Sequence, residues 1–198
     1  MPNSTVLTFC YKGTRTYIHG TDIFSELIKK YVNNIGKIDI AFHGISTNNL
    51  RFYKKKPLNE TIKVTFKYQQ NGNLLKLFGV ETNDKVTCRY AYKEEDIIRN
   101  SIINIQSSTI SLKKHTNYQF IEHIVAMNKA LLETIYSDVK GKWYFTRLQL
   151  LHTIEMQDIN TLDLKFLSNF QFKLTKTVII VNGLEVGHIY FSLIPKES

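Results

Sequence analysis

Cysteine and proline are nearly absent, with two Cys and three Pro among 198 residues, and glycine is sparse at nine. So few cysteines exclude a disulfide-dense scaffold. Cys10 and Cys88 carry no pairing signature and fit a reducing compartment. The shortage of proline and glycine leaves little room for disorder. No apolar run approaches the roughly 20 residues that cross a bilayer as a helix. The opening MPNSTVLTFC has neither a basic start nor an apolar stretch, so no signal peptide is expected. These absences together predict a cytoplasmic protein without a membrane span. Chemical signatures are missing as well: there is no P-loop, no dinucleotide-type glycine fingerprint, no CxxC pair and no GxSxG nucleophile elbow. The six histidines are scattered without HxH or HxxxH spacing, so no metal site is expected.

What is present is an ordinary globular composition, 43% apolar, with 12 Phe and 11 Tyr. A chain of this length is one large domain or two small ones. The net charge of +9 is the strongest global signal. It favours an acidic partner: nucleic acid, a phosphate-bearing cofactor, an anionic membrane or an acidic protein. The alternative is a coding bias, because the composition is rich in Ile, Asn and Lys and the only tight basic run is Lys54–Lys55–Lys56.

The pattern along the chain has one plan used twice. Ile23, Phe24, Leu27, Ile28, Tyr31, Val32 and Ile35 recur at helical spacing, with Gly36 as the expected stop. Strand material follows: IDIAFHGI (38–45), LRFY (50–53), IKVTFKYQQ (62–70), the hairpin signal Asn71–Gly72, LLKLFGVET (74–82) and KVTCRYAY (85–92). In the second half, TISLKK (109–114) precedes Thr116–Asn–Tyr–Gln119, which fits a capping box. Ile121, Ile124, Val125, Leu131, Leu132, Ile135 and Tyr136 then form a helical stripe that Gly141 is expected to close. WYFTRLQLLHTI (143–154), the run 162–181, a second hairpin signal at Asn182–Gly183 and LEVGHIYFSLIP (184–195) complete the repeat. Setting Thr21–Asp22–Ile23 on Glu122–His123–Ile124 gives an offset of 101. The expected division is a first unit at 1–93, a connection at 94–108 containing a short helix, and a second unit at 109–198.

This duplicated helix-then-meander order resembles the hotdog fold in its double form: an α+β chain with two long helices, each wrapped by a curved antiparallel sheet. The stretch FIEHIVAMNKALLE (120–133) is similar to a helix start of the A-factor biosynthesis hotdog family, where an acid–His pair opens the helix. The two-unit layout also looks like the avirulence-D-type proteins. The small-residue turn expected just after the His is missing, and the chain is short for either family. The resemblance implies an acyl-thioester enzyme, performing acyl transfer, hydrolysis or a dehydratase-like reaction on acyl-coenzyme A or an acidic acyl carrier protein. No separate cofactor is implied, because coenzyme A or phosphopantetheine arrives as part of the substrate. A monomer (itself a pseudo-dimer) and a homodimer both fit.

Acidic and His residues at a helix start suit such chemistry, because the amino end of a helix presents unpaired N–H groups and partial positive charge to a carbonyl. Asp22 and His19 are the first-half candidates for catalysis, with Arg15 and Tyr17 as polar support for substrate. The structural alternative is that Thr21 or Asp22 caps the helix and His19–Gly20 is a turn. Asp22 also shares the helical face of Ser25, Glu26 and Lys29, which favours solvent. Glu122 and His123 are the second-half catalytic candidates. Asn128 falls on the apolar stripe, where a buried amide needs partners; it bonds a strand or faces a polar ligand such as a pantetheine arm. Arg147 is a further substrate-binding candidate and His152 lies on the same strand, both with solvent-facing alternatives; His43 is held in reserve. A competing function is a non-catalytic module, either an acyl sensor or a single-stranded nucleic-acid binder stacking bases on Arg51–Phe52–Tyr53 beside the lysine run.

Overall fold

The computed structural model describes residues 4–31 and 35–195. The chain divides into two compact units, Met1–Tyr92 and Lys93–Ser198. The stretch 94–108 belongs to the second of these and is structured.

The first unit runs β1 (Ser4–Leu7), β2 (Tyr11–Lys12), α1 (Gly20–Tyr31), β3 (Ile35–Phe42), β4 (Asn48–Tyr53), β5 (Ile62–Gln70), β6 (Asn73–Lys85) and β7 (Arg89–Tyr90). Its sheet has the order β1-β4-β6-β5-β3, and every pairing in it is antiparallel. Period-two alternation puts Val64, Phe66 and Tyr68 of β5 on one face, opposite Phe42, Ile40 and Ile38 of β3. The turn Asn71–Gly72 has both residues at positive φ (49° and 79°) and pairs Gln70 with Asn73, as the hairpin signal requires. Helix α1 buries Ile23, Phe24 and Leu27, with Asp22 in its first turn and Lys29 and Lys30 in its last. It ends at Tyr31; Val32 lies outside the described residues. Gly36, expected as the helix stop, is instead inside β3. A Cβ there would lie 3.0 Å from the Gln69 side-chain amide oxygen, a flexible group that can shift, so space alone does not require this glycine.

β2 and β7 form a separate parallel pair, Tyr11 beside Arg89 and Lys12 beside Tyr90. Immediately before it, Cys10 and Cys88 form a disulfide with their Cα atoms 4.7 Å apart. This corrects the expectation of unpaired cysteines and removes the ground for a cytoplasmic assignment. The two residues are 78 apart in sequence and meet beside the β2–β7 pairing. Among the described residues no helix is long and apolar enough to cross a membrane.

The second unit runs α2 (Glu95–Arg99), β8 (Ser101–Asn104), β9 (Thr109–Leu112), α3 (Phe120–Ile135), β10 (Gly141–Leu150), β11 (Leu162–Phe170), β12 (Leu174–Val181) and β13 (Leu184–Pro195). Its sheet order is β10-β13-β12-β11-β9-β8, again antiparallel throughout. Asn182–Gly183 forms the same two-residue turn as in the first unit, with φ of 52° and 78°. The run 162–181 is broken at Gln171 and Phe172, which take positive φ without any glycine. Asn169 makes this possible, its side-chain carbonyl accepting from the Phe172 N–H at 2.7 Å.

Helix α3 is capped by Gln119 rather than Thr116. The Glu122 carboxylate reaches back to the Gln119 N–H at 2.9 Å and completes a capping box one turn later than expected. The helix closes at Tyr136, not at Gly141, which begins β10. Tyr136 is pinned against Trp143, Phe166 and Phe172 at ring separations of 5.9, 5.9 and 5.1 Å. Gly141 sits where a Cβ would be 2.7 Å from the Ile194 carbonyl oxygen of β13.

Candidate functional site

The amino end of α1 collects the unusual chemistry of the first unit. Gly20 is the first helical residue, and the Asp22 and Ile23 N–H groups both bond the His19 carbonyl. That places Asp22 third in the helix, with its carboxylate turned back toward the short β2–β7 pair. Lys12, from β2, is fully buried; its ammonium reaches the Asp22 Oδ1 at 3.2 Å and the Thr21 hydroxyl at 3.0 Å. It also lies 4.0 Å from the centre of the Tyr92 ring, a cation–π contact in a desolvated site. The Tyr90 hydroxyl donates to the same Asp22 oxygen at 2.8 Å. Thr21 links the groups. Its one hydroxyl hydrogen goes to Asp22 Oδ1 (3.2 Å), and its lone pairs take Lys12 and the His19 Nδ1–H, 2.7 Å away. The other carboxylate oxygen, Asp22 Oδ2, is buried and makes no hydrogen bond.

Arg15 and Tyr17 lie half-buried on the segment leading into this helix. The Arg15 guanidinium sits 5.6 Å from the Tyr92 ring, and its carbonyl accepts from Arg89 at 2.8 Å. The structure therefore gathers Arg15, His19 and Asp22 around one clip of chain, with Tyr17 on the same stretch.

In the second unit, the α3 start uses its candidates differently. His123 is fully buried and both ring nitrogens are occupied: Nδ1–H donates to the Gln119 carbonyl at 3.0 Å, and Nε2 lies 2.8 Å from the Thr116 hydroxyl. Burial is the main cause that holds its pKa below the ordinary value, with the His115 charge pressing the same way and the Gln119 bond and Glu122 opposing. Counting from the helix starts at Gly20 and Phe120, Asp22 corresponds to Glu122, not to His123, so the offset is 100. The two carboxylates occupy the same helical position with different partners: Glu122 bonds its own cap, Asp22 a buried lysine.

Asn128 is fully buried, and neither its amide nitrogen nor its oxygen has a hydrogen-bond partner. Arg147 sits just after an irregularity in the β10–β13 ladder, its guanidinium 5.7 Å from the Tyr190 ring. His152 is exposed and bonds the Thr153 carbonyl, while His43 meets the Thr65 hydroxyl at 2.9 Å. Of the expected Arg51–Phe52–Tyr53 stacking surface, Phe52 is 1% exposed and packs over Gly79, so this ring offers no face to a base.

Against solved structures, the tesB protein of Mycobacterium avium subspecies paratuberculosis aligns over 97% of this chain and 93% of its own, at 9% identity and a TM-score of 0.53. A Lactobacillus plantarum protein named as an oleoyl thioesterase aligns over 98% and 97%, at 10% identity and a TM-score of 0.50. The chain has the hotdog fold. At such identities the likeness carries the hotdog architecture and no chemistry. No family model and no curated protein sequence matches the chain.

Within this hotdog, sequence reasoning missed Lys12, Thr21 as a linking hydroxyl, Tyr90 and Tyr92. Lys12 stands in the unremarkable run CYKG, and Tyr90 follows it by 78 residues. One signal was available. Cys10 and Cys88 precede Lys12 and Tyr90 by the same two residues, so a pairing of the cysteines would have set those side chains beside each other.

Proposed function

We propose that the chain is a tandem hotdog, two long helices each wrapped by a curved antiparallel sheet, acting on acyl thioesters of coenzyme A or an acyl carrier protein. One observation carries this reading: Asp22 Oδ2, a buried acceptor with no partner, standing at the amino end of α1 while Oδ1 is fixed by Lys12, Thr21 and Tyr90. A carboxylate with one oxygen anchored and one reserved is oriented for a single incoming donor. The helix end supplies N–H groups and partial positive charge for a thioester carbonyl oxygen. For hydrolysis, water attacks the carbonyl carbon and Asp22 Oδ2 takes its proton. The carbon–sulfur bond then breaks and the proton passes to the departing thiolate. In this reading His19 steadies the chain through Thr21, and Arg15 and Tyr17 meet the polar parts of the substrate. Glu122 and His123 hold the start of α3 in the second unit. The net charge of +9 suits a phosphate-bearing or acidic carrier. One hotdog neighbour is named as an oleoyl thioesterase, and that name supports the same class of substrate.

The test is turnover of acyl-coenzyme A and acyl-carrier-protein thioesters across chain lengths. Asp22→Asn is expected to lower kcat by about 10²–10⁴-fold, the usual worth of a positioned acid or base. Equal rates in wild type and Asp22→Asn, or no turnover of either carrier, would overturn the enzyme reading. A non-catalytic acyl-binding module is the second reading, favoured by the occupied nitrogens of His123, and it predicts acyl-coenzyme A binding without turnover.

A further inference from the structure

We propose that the Cys10–Cys88 disulfide is a redox latch on the α1 site, and that Lys12 is the positioning residue it delivers. The strand pairing that brings Lys12 beside Tyr90 and Asp22 is a very small piece of structure. β2 and β7 are two residues each and pair in parallel, joined by the Tyr11 N–H to the Cys88 carbonyl and the Gly13 N–H to the Tyr90 carbonyl, both 2.9 Å. Arg89 adds bonds to the Gly13 and Arg15 carbonyls at 2.5 and 2.8 Å, but from an exposed side chain. A two-residue parallel ladder closing a long loop has little stability of its own.

The clip nevertheless holds an ammonium at 0% exposure, a placement that strongly disfavours the folded arrangement unless the charge is paired. Lys12 and Tyr90 are register partners, so one pairing sets both donors on Asp22 Oδ1. The covalent bond lies directly at the head of this pairing, across a separation of 78 residues. It supplies the closure that the two hydrogen bonds do not. Cys88 is an exposed residue and Cys10 a half-buried one, so the pair lies at the surface of the unit.

A dithiol reductant would act by ordinary exchange. One of its thiolates attacks a sulfur of the pair, the Cys10–Cys88 bond breaks, and the second thiolate resolves the mixed disulfide. Two electrons and two protons pass to Cys10 and Cys88, and the dithiol becomes a disulfide. β2 then separates from β7, the Lys12 ammonium moves to water, and Asp22 Oδ1 loses two of its three partners. Helix α1 and the sheet, whose cores do not depend on the clip, stay folded.

The experiment is acetic anhydride labelling of the full chain, with and without dithiothreitol, read by mass spectrometry at each lysine. In the disulfide form Lys12 should acetylate at least ~10-fold more slowly than exposed Lys29, and after reduction the two should agree within ~3-fold, as for a locally opened segment. Far-UV circular dichroism should be unchanged. Cys10→Ser/Cys88→Ser should label as the reduced protein does, and the reduction arm decides the matter if that variant does not fold. Free thiols in protein purified without reductant, continued protection of Lys12 after full reduction, or global unfolding on reduction would each overturn the latch. The labelling result stands apart from the functional proposal, on which only the activity arm rests. Where thioester turnover is found, reduction and Lys12→Met should each lower kcat at nearly constant KM. Loss of turnover in all forms would sink the function and leave the latch decided by Lys12 labelling.

Discussion

Lowering the pH from 7.5 to 5.5 should destabilise the second unit through His123. The native imidazole is buried and neutral, with Nδ1–H given to Gln119 and Nε2 facing the Thr116 hydroxyl, and burial holds its pKa below 6.5. The unfolded chain titrates near 6.5, so between the two values it binds more protons than the native state does. Stability is therefore full above 6.5 and falls as pH drops toward the folded value. A native imidazole still neutral at pH 5.5 loses RT ln(1 + 10), about 1.4 kcal/mol, and this is the most that one His can contribute there. His188 is also lowered, chiefly by burial, and adds to the slope in the same direction, while His43 does so in the first unit. Glu133, raised by burial, works in the opposite sense at more acidic pH. The contribution is isolated by measuring urea unfolding free energies of wild type and His123→Gln at pH 5.5, 6.5 and 7.5. The variant should be less stable at pH 7.5 but lose up to about 1.4 kcal/mol less than wild type on acidification. Parallel pH profiles for the two proteins, or a wild type that gains stability between pH 7.5 and 5.5, would refute the reasoning.

Two further substitutions test the second unit. Asn128→Leu removes an amide whose two polar atoms are buried without partners, and should raise the unfolding free energy by about 1–3 kcal/mol, read from urea unfolding. Gly187→Ala would put a Cβ 2.0 Å from the Gln149 carbonyl oxygen, on backbone that cannot yield without breaking the β10–β13 ladder. It should cost at least ~3 kcal/mol, seen as a lowered urea midpoint.

Much of the fold could be read from residue order. Asn71–Gly72 and Asn182–Gly183 announced their hairpins because a two-residue turn needs positive φ at both positions, and few residues accept it. The apolar stripes of α1 and α3 and the alternation of β5 were visible for the same local reason. The turn at Gln171–Phe172 was not, because its positive φ is held by Asn169 and not by glycine. Gly36 and Gly141 were misassigned as helix stops. A glycine needed for left-handed backbone and one inside a strand look alike in sequence, and for Gly141 only the Ile194 carbonyl across the sheet separates them.

Of the candidate site, the sequence located the carboxylates and histidines at two helix starts, since helix-start chemistry is set within a single turn of chain. It did not distinguish their uses. Asp22 and Glu122 occupy the same helical position, yet one meets a buried ammonium and the other its own cap. Local propensity and periodicity decided where the helices and hairpins form, because those depend on residues within a few positions of one another. Long-range pairing alone decided which charge is buried, which cysteines join and which carboxylate oxygen is left waiting, because burial and contact depend on strands that meet across 78 residues of chain.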